Sequence, residues 1–254
     1  FFFPGGSGVQ LLGFLSKPSD APISTGIIFC HPFAEEKNCS HAVVAKAARE
    51  FAAQGHAVFR FDFSGCGDSE GDMTDFRLHN WLDDIRAAIS EMQQRTQVDK
   101  VALWGLRLGA ALAGTYARQN TDISGLILWQ PVYSYQDYMK QFLRGKQASS
   151  ISNQNGQISI KSLLQDIESG NAVEVHGYPV ADPLYSSFAQ LDGPNQAEIV
   201  CPTFISTISK MTLPPTMTIR KAERMLSKDS DSFYTHIVAE PFWDRYWQWE
   251  APQV

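Results

Sequence analysis

One short, unbroken apolar run, "GIIFC" (26–30), and three further apolar-rich segments, "HAVFRF" (56–61), "KVALWG" (100–105) and "ISGLILW" (123–129), recur along the chain. Runs without polar alternation suit strands buried on both faces. The stretches between them have helical period. From Asn38 or Ser40, either able to cap, a helix is expected to run to Gln54, with Val44, Ala47, Ala48 and Phe51 inward and Gly55 just past its end. "HNWLDDIRAAISEMQQ" places Trp81, Leu82, Ile85, Ala88, Ile89 and Met92 on one side, with Asn80 as a cap and Asp83 and Asp84 near the positive helix end. "LGAALAGTYARQ" is a third, small-residue helix. Strands and helices alternating in this way predict a mostly parallel central sheet with right-handed crossovers and helices on both faces. The 254 residues suffice for one α/β domain with a large core.

The flanks are less regular. "FFFPGGSG" reads as an edge segment, and with no basic start or cleavage region it is not expected to be a signal peptide. "VQLLGFLSKP" is expected to form a hairpin with "TGIIFCHPF". Residues 134–195, rich in Ser, Gln and Asn, break the rhythm and are expected to form a small cap-like insertion over the C-terminal edge of the sheet. The rhythm returns with "CPTFISTIS", a helix around "TIRKAERMLSK" and a last strand "FYTHIVAE", before an aromatic tail, "PFWDRYWQWEAPQV".

In "VALWGLRLGAALA" (101–113) a strand ends in Gly105-Leu106-Arg107-Leu108-Gly109 and a helix follows. This has the form of a G-x-S-x-G nucleophile elbow with arginine in the serine position. "FRFDFSGCGDSEGD" (59–72) resembles a D-x-x-G-x-G-x-S turn, about forty residues before Arg107, and "CHPFAEEKN" (30–38) falls where an oxyanion loop would lie. In this order and spacing the three segments resemble the α/β-hydrolase superfamily, which implies that fold across nearly the whole chain. "HPFAEEKN", "DFSGCGDSEGD", "LWGLRLGA" and "LILWQP" together resemble the second type of exosortase A system-associated hydrolase. That resemblance implies a bacterial protein of exopolysaccharide or protein-sorting physiology, in which an elbow arginine is characteristic.

Arginine stays charged at neutral pH and serves as neither nucleophile nor base. The superfamily's acid would follow the strand in "TFISTISKMTLPP", which holds no Asp or Glu. Its histidine would lie in "EPFWDRYW", which holds none, and His236 falls within the preceding strand. The expected site is therefore degenerate. The alternative is an active ester or thioester hydrolase, or an acyltransferase, using Cys66 or Ser69 with His31 as base, or an activated water. Against it, "SGCGDS" reads as a tight turn whose Ser69 bonds its own loop. His41, His56, His79 and His176 are isolated and read as surface or capping residues. Glu35 and Glu36 would repel an oxyanion and suit a guanidinium. His31, Glu35, Glu36, Asp62, Asp68 and Arg107 are expected to form one polar pocket floor, with Phe33 and Leu108 completing the ligand-binding set.

A net charge of −6 without a basic block excludes a nucleic-acid surface. No apolar run reaches the ~18 residues of a membrane-spanning helix. The four cysteines lack metal-type spacing, so no metal or other cofactor is expected, and free thiols point to a reducing, cytoplasmic setting. The expected partners are a small anionic or acyl ligand at Arg107 and a protein partner bound through the aromatic tail.

Overall fold

The computed structural model describes residues 1–19, 22–152, 159–191, 198–226, 228–244 and 251. In chain order the elements are β1 (Phe2–Pro4), β2 (Gln10–Ser16), β3 (Thr25–Cys30), α1 (Glu35–Ala53), β4 (His56–Phe61), α2 (Leu78–Thr96), β5 (Val101–Leu106), α3 (Leu108–Gln119) and β6 (Gly125–Trp129). Then follow α4 (Tyr135–Ser152), α5 (Ile160–Glu168), β7 (Val173–Val175), β8 (Tyr178–Val180), α6 (Asp182–Leu191), β9 (Thr203–Ser209), α7 (Thr216–Met225) and β10 (Phe233–Val238). Eight strands form one sheet in the order β1-β2-β4-β3-β5-β6-β9-β10. From β4 to β10 neighbouring strands are parallel, while β1–β2 and β2–β4 are antiparallel.

Each central strand divides its side chains between two cores, as a period of two requires. In β5, Val101 and Leu103 join the core beneath α2 and α3, and Trp104 and Leu106 join the core beneath α1. Ile28 and Cys30 of β3 go with the first group, and Ile27 and Phe29 with the second. Trp104 is fully buried, with ring centroids 4.4 Å from Phe29 and 4.8 Å from Trp129.

The expected hairpin between β2 and β3 does not form. Both edges of β3 are occupied, by β4 and β5, so β2 pairs with the outer edge of β4, opposing Gly13 to Phe61. Gly13 leaves room for the Phe59 ring, which a Cβ would approach to 2.4 Å. Helix α1 starts at Glu35 rather than near Asn38, because Ala34, four residues past the end of β3, takes φ 50°, ψ −129° and turns the chain into the helix there. On α2, the Asn80 side chain accepts from the Arg77 N–H at 2.9 Å, so it caps from inside the first turn. Asp84 is buried and accepts hydrogen bonds from the backbone N–H and hydroxyl of Ser64 and from the Gly6 N–H, so it ties the loop after β4 to the helix.

Between β6 and β9 the chain leaves the main sheet for α4, α5, the β7–β8 hairpin and α6. Phe33, just after β3, packs against Phe142 of α4 and Phe188 of α6, with centroids 5.0 and 6.1 Å apart. The aromatic tail begins inside the protein: Phe242 and Trp243 are buried against the core beneath α1. These two side chains are therefore unavailable to a partner, and residues 245–250 and 252–254 lie outside the described residues.

Candidate active site

Arg107 stands between β5 and α3 with φ 55° and ψ −117°, a conformation that costs an L-residue strain energy. The flanking glycines make the sharp turn sterically feasible. A Cβ on Gly105 would lie 2.4 Å from the Ala110 Cα, and one on Gly109 would lie 2.0 Å from the Cys30 carbonyl oxygen. The Arg107 N–H donates to the Trp129 carbonyl at 3.0 Å, which ties the turn to the end of β6.

The guanidinium reaches back over β3 to the first turn of α1. Its Nε donates to Glu36 Oε1 at 3.1 Å, Nη2 lies in ion-pair contact with the same oxygen at 3.1 Å, and the Tyr138 hydroxyl donates to Glu36 Oε2 at 2.9 Å. Arg107 Cζ also lies 5.6 Å from the Tyr138 ring centroid and 5.4 Å from that of Trp243, within cation–π range. Burial alone would lower the Arg107 pKa, but Glu36, with Tyr138 and Asp244, outweighs it and the pKa rises. Burial raises the Glu36 pKa, and Arg107 and the Tyr138 hydroxyl oppose that rise. Glu35 is held separately: its Oε2 accepts from the Tyr178 hydroxyl at 2.7 Å, and its Oε1 is buried without a hydrogen-bond partner.

A cavity of about 220 Å³ opens at this pair, lined by Phe33, Glu35, Glu36 and Arg107 and by Tyr138, Gln141, Phe142, Gly145 and His176. Of the expected ligand-binding set, Leu108 is buried beneath the turn and does not line it. His31, Asp62 and Asp68 line a different cavity, so the single polar floor expected from the sequence is divided in two. The division follows from Lys37, whose Nζ pairs with Asp62 Oδ1 at 2.9 Å and holds that carboxylate on the far side of α1's first turn. The α4 residues could have been found from their spacing, since Tyr138, Gln141, Phe142 and Gly145 fall at i, i+3, i+4 and i+7 on one helix face. Trp243 carried no such signal.

The alternative nucleophiles have structural duties. Ser69 Oγ donates to the Asp62 carbonyl at 2.6 Å and accepts from the Leu12 N–H at 2.9 Å. Cys66 is buried, and burial pushes its thiol pKa up to about 12, opposite to what a reactive thiolate needs. His31 lines the same 270 Å³ cavity as Cys66, but both ring nitrogens are occupied: Nδ1 at 2.6 Å from the Pro32 carbonyl, and Nε2 accepting from the Phe63 N–H at 3.1 Å. The pairing of Cys66 with His31 thus has neither an ionisable thiol at neutral pH nor an available base. His236 is likewise engaged, by Thr207 Oγ1 at 2.9 Å and the Met211 carbonyl at 2.8 Å. Among the described residues no group of three or more His, Cys, Asp or Glu side chains is placed to hold a metal ion, and no helix is long and apolar enough to cross a membrane.

The model of the Hydrolase_4 family, described as Serine aminopeptidase, S33, matches residues 22–237. The chain belongs to this family. Its mostly parallel sheet, flanked by helices, is the α/β-hydrolase fold. This Hydrolase_4 member is 32% identical over 97 residues to bovine palmitoyl-protein thioesterase ABHD10, mitochondrial, covering 34% of the chain and 30% of the relative. It is 33% identical over 115 residues to the human protein of the same name, covering 40% of the chain and 36% of the relative. These matches span about a third of the length of those relatives. Among solved structures, Est1E from Butyrivibrio proteoclasticus with bound ferulic acid superposes with a TM-score of 0.68 at 16% identity, covering 97% of this chain and 92% of that one. Mouse alpha/beta hydrolase domain-containing protein 10 superposes with a TM-score of 0.58 at 16% identity, covering 93% and 87%.

Proposed function

We propose that this Hydrolase_4 member uses its elbow to bind a ligand rather than to hydrolyse one. The observation that carries the reading is Arg107 itself, fixed by Glu36 where the superfamily's serine would stand, with a cavity beside it. Glu36 accepts from Nε and pairs with Nη2 through a single oxygen, which leaves other donors of the guanidinium fork for a ligand carboxylate or other anion. Phe33, Tyr138 and Phe142 supply apolar wall, so a carboxylate with an apolar or acyl body suits the cavity best. The unpartnered Glu35 Oε1 would accept a hydrogen bond from a hydroxyl on that ligand. The thioesterase relatives support an acyl group as the ligand class. The resemblance to the exosortase A system-associated hydrolases supports a role in bacterial exopolysaccharide or protein-sorting physiology, in the cytoplasm. A protein partner at the aromatic tail remains part of this reading only for the tail beyond Asp244.

Two measurements test it together. Calorimetric titration with decanoate should show binding that weakens about tenfold or more in Arg107→Met, the loss of one charge-assisted contact. Turnover of p-nitrophenyl butyrate should stay near background in the wild type and in Arg107→Ser: Glu35, Glu36 and His176 line the cavity, but the segment after β9 holds no acid and the segment after β10 no histidine in the superfamily's places. Efficient ester turnover by the wild type, with labelling by a fluorophosphonate probe, would overturn the reading.

A further inference from the structure

A further cavity, of about 290 Å³, lies away from the elbow pocket, between α3, the segment after β6 and α7. Arg118, Lys221 and Arg224 line it, and no acidic residue does. This is a sharp local reversal in a chain whose net charge is −6. None of the three cations forms an ion pair among the described residues. Other cations of the protein do find carboxylates, such as Lys37 with Asp62, Lys210 with Glu240 and Lys228 with Glu198.

The remaining wall is equally specific. The Tyr133 hydroxyl is buried with no hydrogen-bond partner, and Lys221 Nζ lies 5.9 Å from the centroid of its ring. Thr115 Oγ1 and the Tyr135 hydroxyl meet at 2.8 Å, placing two further hydroxyls on the wall. Met225 and the Tyr133 ring add apolar surface. Arg118 is only partly exposed, and burial lowers its pKa, as it does for a cation that lacks a counter-charge. Unpaired like charges converging on one concavity repel each other unless an anion joins them.

We infer that this cavity is an anion site for a phosphomonoester bearing an apolar group, with the phosphate between Arg118, Lys221 and Arg224 and the apolar group against Tyr133 and Met225. Arg118 supplies a planar fork suited to two phosphate oxygens, and Lys221 a point charge. The site is independent of Arg107 and of the function proposed for it.

Calorimetric titration of the full chain with phenyl phosphate and with inorganic phosphate, at constant ionic strength, tests the assignment. Phenyl phosphate should bind more tightly than inorganic phosphate. Its affinity should fall about tenfold or more in Arg118→Gln, and further in Lys221→Gln and Arg224→Gln. Lys221 and Arg224 are exposed, so these two variants keep the fold, and their thermal melts check it. Arg107→Met should leave the affinity unchanged. Absence of phenyl phosphate binding by the wild type, equal loss in Arg107→Met, or full affinity in the three Gln variants would each overturn the site.

Discussion

Ala34 and Arg107 share almost the same strained backbone, φ 50°, ψ −129° and φ 55°, ψ −117°, at the ends of adjacent strands β3 and β5. Arg107 turns β5 directly into α3, and Ala34 opens α1 after a three-residue step from the end of β3; the two turns bring Glu36 to Arg107. Such a conformation costs an L-residue about 1–3 kcal/mol, which a glycine escapes. Ala34→Gly should therefore stabilise the protein by about 1 kcal/mol, less the unfolded-state entropy that glycine adds. Urea denaturation checks this. A lower midpoint in the variant would mean that the buried Ala34 methyl matters more than the strain.

Glu36 is the hinge of the polar network. Glu36→Gln removes the counter-charge of a mostly buried guanidinium while keeping the shape, and should cost about 1–3 kcal/mol. A double-mutant cycle with Arg107→Met should return a coupling of about 1–2 kcal/mol, because removing both partners leaves no orphaned charge. Additive losses in that cycle would show that the pair contributes nothing net.

Gly109 admits no side chain. Its Cβ would lie 2.0 Å from a backbone oxygen of β3, which cannot rotate away as a side chain would. Gly109→Ala should destabilise by roughly 3 kcal/mol or more, at the upper end of the cost of overpacking. Gly114→Ala is the control, since there the nearest atom is a methionine methyl at 3.4 Å. Thermal melts of the two variants should differ clearly.

Stability should fall in mild acid. Burial first, then Lys37, lowers the His31 pKa to about 4, against opposition from Asp62 and the Pro32 carbonyl. The unfolded imidazole titrates near 6.5, so between these values the unfolded chain binds the extra proton. The contribution is complete above about pH 6.5 and is lost as pH falls toward 4, an amount on the order of 3 kcal/mol. Protonation would also put His31 Nε2–H against the Phe63 N–H that it now accepts from. His31→Asn should flatten the pH dependence of urea stability between pH 5 and about 6.5. His41, whose pKa burial also lowers, should leave a residual slope in the same direction.

The central strands were legible in the sequence because burial on both faces leaves them dominated by apolar residues, with Arg60 and His56 of β4 the polar exceptions. The place of β2 was not, since its pairing depends on which edges of β3 are already taken. The start of α1 was misplaced because caps are read from side chains, whereas Ala34 starts this helix through backbone strain alone. At the site, the choice of arginine and two glutamates was readable as chemistry, but their sorting was not. Glu36 reaches Arg107 and Glu35 reaches Tyr178, a difference of one helical step that depends on how α4 and β8 lie across α1. The wall from α4 had a visible period, yet nothing in the sequence said what that face would meet.

Adjacent carboxylates at the start of α1 are each held by a tyrosine hydroxyl from the segment between β6 and β9, Glu36 by Tyr138 and Glu35 by Tyr178. That covering segment is thus not an interchangeable part. A cap transplanted from a relative to broaden what the cavity accepts would need to deliver two hydroxyl donors to the same two oxygens. Without them Glu36 would keep Arg107 and Glu35 only the amide of Asn38, and the hybrid would be expected to hold its cap ajar.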